Sequence, residues 1–98
     1  MTLDELQQFV DEWVRKGGGY WAPLSQYVRL VEEVGELGRE LNHLYGDKPR
    51  LAKDKPQSLA DELGDILFIV VLLANDLGVQ LEAATRDVLT KYEARRSG

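Results

Sequence analysis

Apolar residues recur at intervals of three and four along four stretches of the chain, and each stretch ends at a recognisable stop. The first carries Leu3, Leu6, Phe9, Val10 and Trp13, with Thr2 and Glu5 in the spacing of a capping box. It ends at Gly17-Gly18-Gly19, ahead of Tyr20-Trp21-Ala22-Pro23. The second runs from about Leu24 to Tyr45, with Tyr27, Leu30, Val31, Val34, Leu37, Leu41 and Tyr45 on one stripe and Gly46 as its stop. Asp47 to Gln57 holds two prolines and the bases Lys48, Arg50, Lys53 and Lys55, and reads as a loop. Ser58, with Asp61 three residues on, can cap a third helix that continues to Leu77 and stops at Gly78. A fourth, about Gln80 to Arg95, places Leu81, Ala84, Val88, Leu89 and Tyr92 on one side. No stretch alternates as a strand would. The pattern predicts an all-α fold, a four-helix bundle joined by short loops, in one domain spanning 1–98.

Composition narrows the partners. The chain has 98 residues, a net charge of −5 and no cysteine. Duplex nucleic acid is a poor partner for an acidic surface, because phosphate neutralisation needs a basic face. A phosphorylated small molecule stays open if metal ions supply the positive charge. Without cysteine there is no thiolate nucleophile, disulfide or zinc–thiolate site. The N-terminus lacks the basic and apolar regions of a signal peptide, and the apolar run Ile66 to Ala74 is far below the roughly 20 residues of a membrane span. A cytoplasmic location is the plain expectation. A single core this small also makes self-association a reasonable expectation.

Two segments echo each other. Val31-Glu32-Glu33-Val34-Gly35-Glu36-Leu37 and Ala60-Asp61-Glu62-Leu63-Gly64-Asp65-Ile66 share one order of apolar, acid, acid, apolar, glycine, acid, apolar. At about 100° per residue the acids of each segment form a fan on one side of a helix. Acidic triplets are commonly solvated faces. The third helix argues otherwise, because the stripe of Glu62 and Asp65 continues through Ile69 and Leu72, while Leu59, Leu63, Ile66, Val70 and Leu77 make the opposite side apolar too. A helix apolar all round is expected to be buried on both sides. Buried carboxylates must be paired, protonated or metal-bound. Oxygen-only ligation favours Mg²⁺, with Mn²⁺ as a substitute. Metal ions so held bind a polyphosphate and activate water for attack on phosphorus, and a spare carboxylate can take its proton.

Glu33-x-x-Glu36, a gap of twenty-five residues and then Glu62-x-x-Asp65 resembles the signature of the MazG-like nucleotide pyrophosphohydrolases, of the all-α nucleoside-triphosphate pyrophosphatase superfamily. The likeness extends through Arg29-Leu-Val-Glu-Glu-Val-Gly-Glu-Leu, Asp61-Glu-Leu-Gly-Asp-Ile-Leu and Leu73-Ala-Asn-Asp-Leu-Gly, and covers about Tyr20 to Arg95. It implies hydrolysis of a nucleoside triphosphate, standard or non-standard, between the α and β phosphates. By motif position Glu33, Glu36, Glu62 and Asp65 would be metal ligands, and Glu32 a further ligand or the base, with Glu33 the other catalytic candidate. The family's habit of dimers or dimers of dimers implies a homodimer or homotetramer.

Other residues are weaker candidates for substrate binding. Lys91 and Arg95, one turn apart, resemble basic positions that meet phosphates, or simply suit a helix C-terminus. Trp21 can stack on a nucleobase or plug the bundle end. Asn75 can contact base or sugar, or serve as a cap. The bases of the Asp47–Gln57 loop can gather polyphosphate or remain solvated. Two other functions compete: phosphoribosyl-ATP hydrolysis on the same fold, and a non-enzymatic helical interaction module. A ferritin-like di-iron site lacks its Glu-x-x-His pairs.

Overall fold

In the structure, a computed structural model, residues 1–53 and 58–98 are described. They form four helices and, among these residues, no strand: α1 (Leu3–Lys16), α2 (Pro23–Tyr45), α3 (Leu59–Asp76) and α4 (Leu81–Ser97). The capping box is formed, with the Thr2 hydroxyl accepting from Glu5 N at 3.1 Å and Thr2 N donating to the Glu5 carboxylate at 2.9 Å. Gly18 and Gly19 take φ of 108° and 99°, left-handed values that let the chain reverse after α1. Pro23 is the first residue of α2 and not part of the preceding loop, a position where its missing N–H costs nothing. Ser58 caps α3 by accepting from Ala60 N at 3.1 Å. Gly78, at φ 72°, ends that helix and turns the chain by 108° into α4.

The antiparallel pair α2–α3 is the main packing contact, and α1 closes over α3. Val10, Val14 and Val71 form the core, with Leu6, Tyr20, Phe68, Leu72 and Leu81 around it. Trp13 meets Phe68 edge to face, with ring centroids 5.8 Å apart. A polar clasp holds the far end. The Gln7 amide donates to Asn75 Oδ1 at 3.0 Å and to Val79 O at 2.9 Å, and its Oε1 accepts from Leu81 N at 2.8 Å. Asn75 in turn donates to Gln7 O at 3.0 Å. This clasp fixes α1 against the α3–α4 corner.

The single chain leaves much apolar surface uncovered. Of the α2 stripe, Tyr27, Val31, Val34, Leu41 and Tyr45 are exposed, and so are Val88, Leu89 and Tyr92 of α4. On α3, Leu63 and Leu67 are exposed, which corrects the expectation that this helix is buried all round. Its covered surface is divided, with Glu62 and Ile69 on one face and Val71, about half a turn round, packed with Val10 and Val14 of α1. The radius of gyration is 16.6 Å, against about 13 Å for a compact chain of this length. No single helix is long and apolar enough to cross a membrane. Replacing Asn75 by alanine leaves the Gln7 amide and carbonyl short of partners, and should lower stability by about 1–3 kcal/mol in urea unfolding.

Candidate functional site: a carboxylate cluster between α2 and α3

The contact between α2 and α3 that builds the fold also forces acids together. One oxygen from each of Glu33, Glu62 and Asp65 lies within 4.8 Å of the others. They differ in depth, Glu62 being buried at 0 % exposure, Glu33 half-buried and Asp65 exposed. Glu62 is held down by its register. It lies two helical turns before Ile69, on the face of α3 that turns inward. Neither oxygen of Glu62 has a hydrogen-bond partner, and Glu33 Oε2 has none either. Burial raises the Glu62 carboxyl above its ordinary 4.5, and the charges of Glu36, Glu33 and Asp65 raise it further. Glu33 is raised by burial, then by Glu36 and Asp65, with Arg29 acting weakly against them. The N-terminal end of α3, which carries Asp61 and Glu62, also favours negative charge, but only in part.

Orphaned, buried, mutually repelling oxygens at this spacing fit a hard divalent cation. Such an ion takes oxygen ligands and cancels the like charges in one step. Of the residues expected as ligands, the fold thus brings Glu33, Glu62 and Asp65 together. Glu36 is near enough to raise Glu33 and Glu62. Glu32 is exposed and outside the group.

Where α1 and the turn after it meet α2 and α3 lies a cavity of about 260 Å³, walled by Trp13 and Val14 of α1, Trp21 of the turn, Gln26 and Arg29 of α2, and Ile69 of α3. Trp21 therefore stands at a concave site, exposed at 64 %, with the Arg29 guanidinium 6.0 Å from its ring. Gln26 carries no motif of its own, and Arg29 only opens the acidic segment of α2. What the sequence offers for both is their place on the stripe of α2 that continues to Glu33 and Glu36.

The remaining candidates are placed elsewhere. Asn75 uses its amide inside the fold, in the clasp with Gln7, and not toward the cavity. Lys91 and Arg95 are exposed on α4, whose main packing is against α1, and Arg95 sits over the Tyr92 ring at 5.5 Å. Of the basic loop, Arg50 is an anchor, making two hydrogen bonds of 3.2 and 2.8 Å to Glu40, itself 1 % exposed. Lys48 and Lys53 are exposed, and Lys55 lies outside the described residues.

Comparison with known proteins agrees with this arrangement. Residues 22–97 match the family model of the MazG nucleotide pyrophosphohydrolase domain. The chain belongs to that family. The MazG domain is 43% identical to YpjD of Bacillus subtilis over 95 residues, covering 96% of this chain and 86% of that protein. The crystal structure of YpjD superposes with a TM-score of 0.83, covering 94% of this chain and 95% of that one. A Bacillus-conserved MazG protein, described as a nucleotide pyrophosphohydrolase, is 39% identical with a TM-score of 0.80, over 94% and 90% of the two chains. The iMazG protein of Vibrio DAT 722 is 36% identical with a TM-score of 0.65, over 95% and 97%. This MazG domain is thus a hydrolase of the nucleotide pyrophosphohydrolase family, and the all-α fold is that of its relatives.

The raised carboxyls set a pH dependence. The native state holds protons that the unfolded chain has released above about 4.5, so metal-free stability should fall as pH rises through the elevated values of Glu33 and Glu62. Thermal unfolding in a chelator should show that decline, and millimolar Mg²⁺ should reverse it. Glu62→Gln should flatten the decline and abolish most of the gain from Mg²⁺.

Proposed function

We propose that this MazG domain hydrolyses nucleoside triphosphates between the α and β phosphates, releasing a nucleoside monophosphate and pyrophosphate, with Mg²⁺ as its metal. The observation that carries the reading is the buried carboxylate group with three unpartnered oxygens, open to solvent on the Asp65 side. Glu33, Glu36, Glu62 and Asp65 would hold Mg²⁺, with Mn²⁺ as a substitute. Bound there, the metal offsets the charge of the triphosphate and makes water a better nucleophile at neutral pH.

The protein's own groups divide the remaining work. Glu62 and Glu33 fix the depth at which the phosphates stop. Glu32 lies beside the group without a share in it, so its carboxylate is available to take the proton of the attacking water, with Glu33 Oε2 the other acceptor. Trp21 and the cavity wall hold the nucleoside end, which orients the α phosphate. Lys91 and Arg95 serve the departing phosphates when α4 of a neighbouring subunit is brought over the site. That assignment accompanies a homodimer or homotetramer, a reading supported by the uncovered stripes of α2 and α4. Gly35 and Gly64, inside helices, have no neighbour within 4 Å of where a Cβ would lie, which leaves those helix surfaces open to close approach. A cytoplasmic setting, where nucleotides and Mg²⁺ are at hand, suits this chemistry.

The test is a nucleotide panel with Mg²⁺ and product identification. Pyrophosphate and monophosphate should appear in equal amounts. Glu36→Gln should lower kcat by about 10²-fold or more, in the range of losing a group that stabilises developing charge, while circular dichroism stays unchanged. Release of orthophosphate in place of pyrophosphate would refute α–β cleavage.

A further inference from the structure

On the α2 wall of the cavity, one stripe with Glu33, stands a polar group whose orientation the fold fixes and whose capacity the fold leaves unused. Gln26 is 3 % exposed, and its Nε2 donates to Trp21 O at 2.7 Å and to Asp76 Oδ2 at 2.8 Å. Both neighbours are acceptors only. The amide nitrogen must therefore face them, because the flipped amide would set its oxygen against a carbonyl and a carboxylate. Both amide hydrogens are consumed. What remains is Oε1, buried and without a partner. An unpartnered buried carbonyl is costly, and native proteins retain few of them.

We propose that Gln26 is a specificity residue that reads the nucleobase, its fixed Oε1 accepting from an exocyclic amino group, so that the site favours amino-bearing bases over their oxo counterparts. The inference rests on the reading that the phosphates engage the carboxylate cluster. Gln26 lies seven residues before Glu33 on α2, about 10 Å along the helix, a separation that a nucleoside and its first phosphate can bridge. The cavity, about 260 Å³, is slightly below the size of pockets for drug-sized ligands, and so suits a ring system more than a whole nucleotide. Its apolar walls, Ile69 and Leu72, and the Trp21 indole suit a flat ring. Arg29, on the same wall, is a donor for a ring acceptor. An amino group at the pyrimidine 4-position or purine 6-position gives Oε1 the hydrogen it lacks. A carbonyl there opposes oxygen to oxygen, with the Asp76 carboxylate behind. The wall that yields on entry is Trp21, exposed and tethered through Gly18 and Gly19.

The test compares binding of the α,β-imido analogues of dCTP with dUTP, and of dATP with dITP, at fixed Mg²⁺, followed by tryptophan fluorescence. Each amino member should bind at least about tenfold more tightly than its oxo partner, as a buried hydrogen bond to an otherwise orphaned acceptor requires. Gln26→Met keeps side-chain length but removes the acceptor, and should bring both ratios to within about twofold. If that variant fails to fold, Asp76→Asn serves in its place. Its new amide can donate to Oε1 and occupy the acceptor, so the ratios should fall there too. Equal affinities in the unmodified protein, no binding of any analogue, or an unchanged ratio in the folded variants would overturn the proposal. Pyrophosphate release is measured separately. An amino preference in binding without hydrolysis would refute the catalytic reading alone, and hydrolysis without base discrimination would refute this one alone.

Discussion

The contact between α2 and α3 places a carboxylate where neither water nor a donor reaches it, and the rest of the molecule is arranged around that constraint. Glu62 shares the inward face of α3 with Ile69, so the apolar packing that joins the helices cannot form without carrying Glu62 into the seam. Glu33 and Glu36 arrive from the opposing helix for the same reason. Two amphipathic helices whose buried stripes contain acids at corresponding positions must either separate or neutralise those acids. The positive end of α3 and Arg29 each offset part of the repulsion. Neither of them donates to the Glu62 oxygens. A divalent cation fits that deficit in charge and in coordination.

Depth within the group has its own consequence. Glu62 is the floor, Glu33 the wall and Asp65 the rim. A ligand set buried throughout would hold its ion but exchange it and its substrate slowly. A set exposed throughout would hold the ion weakly. The graded burial joins a fixed anchor to an open side through which phosphates can enter, and the cavity at Gln26 lies further along α2, toward the α1–α2 turn.

The four helices were legible because their ends carry local chemistry: Thr2 with Glu5, the triple glycine, Ser58 and Gly78 all act where the sequence places them. The pairing of the two acidic segments was legible as well, since matching fans on neighbouring helices face each other at one spacing. Which acid of each fan points inward was less so. Glu32 and Glu33 differ by 100°, and only packing decides that Glu33 turns into the seam while Glu32 stays outside. The burial of α3 was overestimated for a related reason. An apolar stripe records that a surface is suited to be covered, not that the same chain covers it, and Leu63 and Leu67 are uncovered. Arg50 looked like a loop base because its partner, Glu40, lies ten residues back on a helix, a separation that no local rule connects. Asn75 looked available because its partner, Gln7, is 68 residues distant.

Gln26 was invisible for a different reason. A glutamine on a helix is ordinary, and its meaning lies in the two acceptors that converge on its nitrogen, one from the backbone of Trp21 and one from Asp76, fifty residues away. The same logic governs Glu62. In both cases a polar side chain is fixed by the fold and left short of a partner, the carboxylate lacking positive charge and the amide lacking a donor. Two such deficits on one helix–helix contact, Gln26 being about 10 Å along α2 from Glu33, describe a ligand with anionic and hydrogen-donating ends. A deficit at one end alone could be met by an ion or a water. Both together, with an indole and apolar walls at the donor end, have the polarity of a nucleotide.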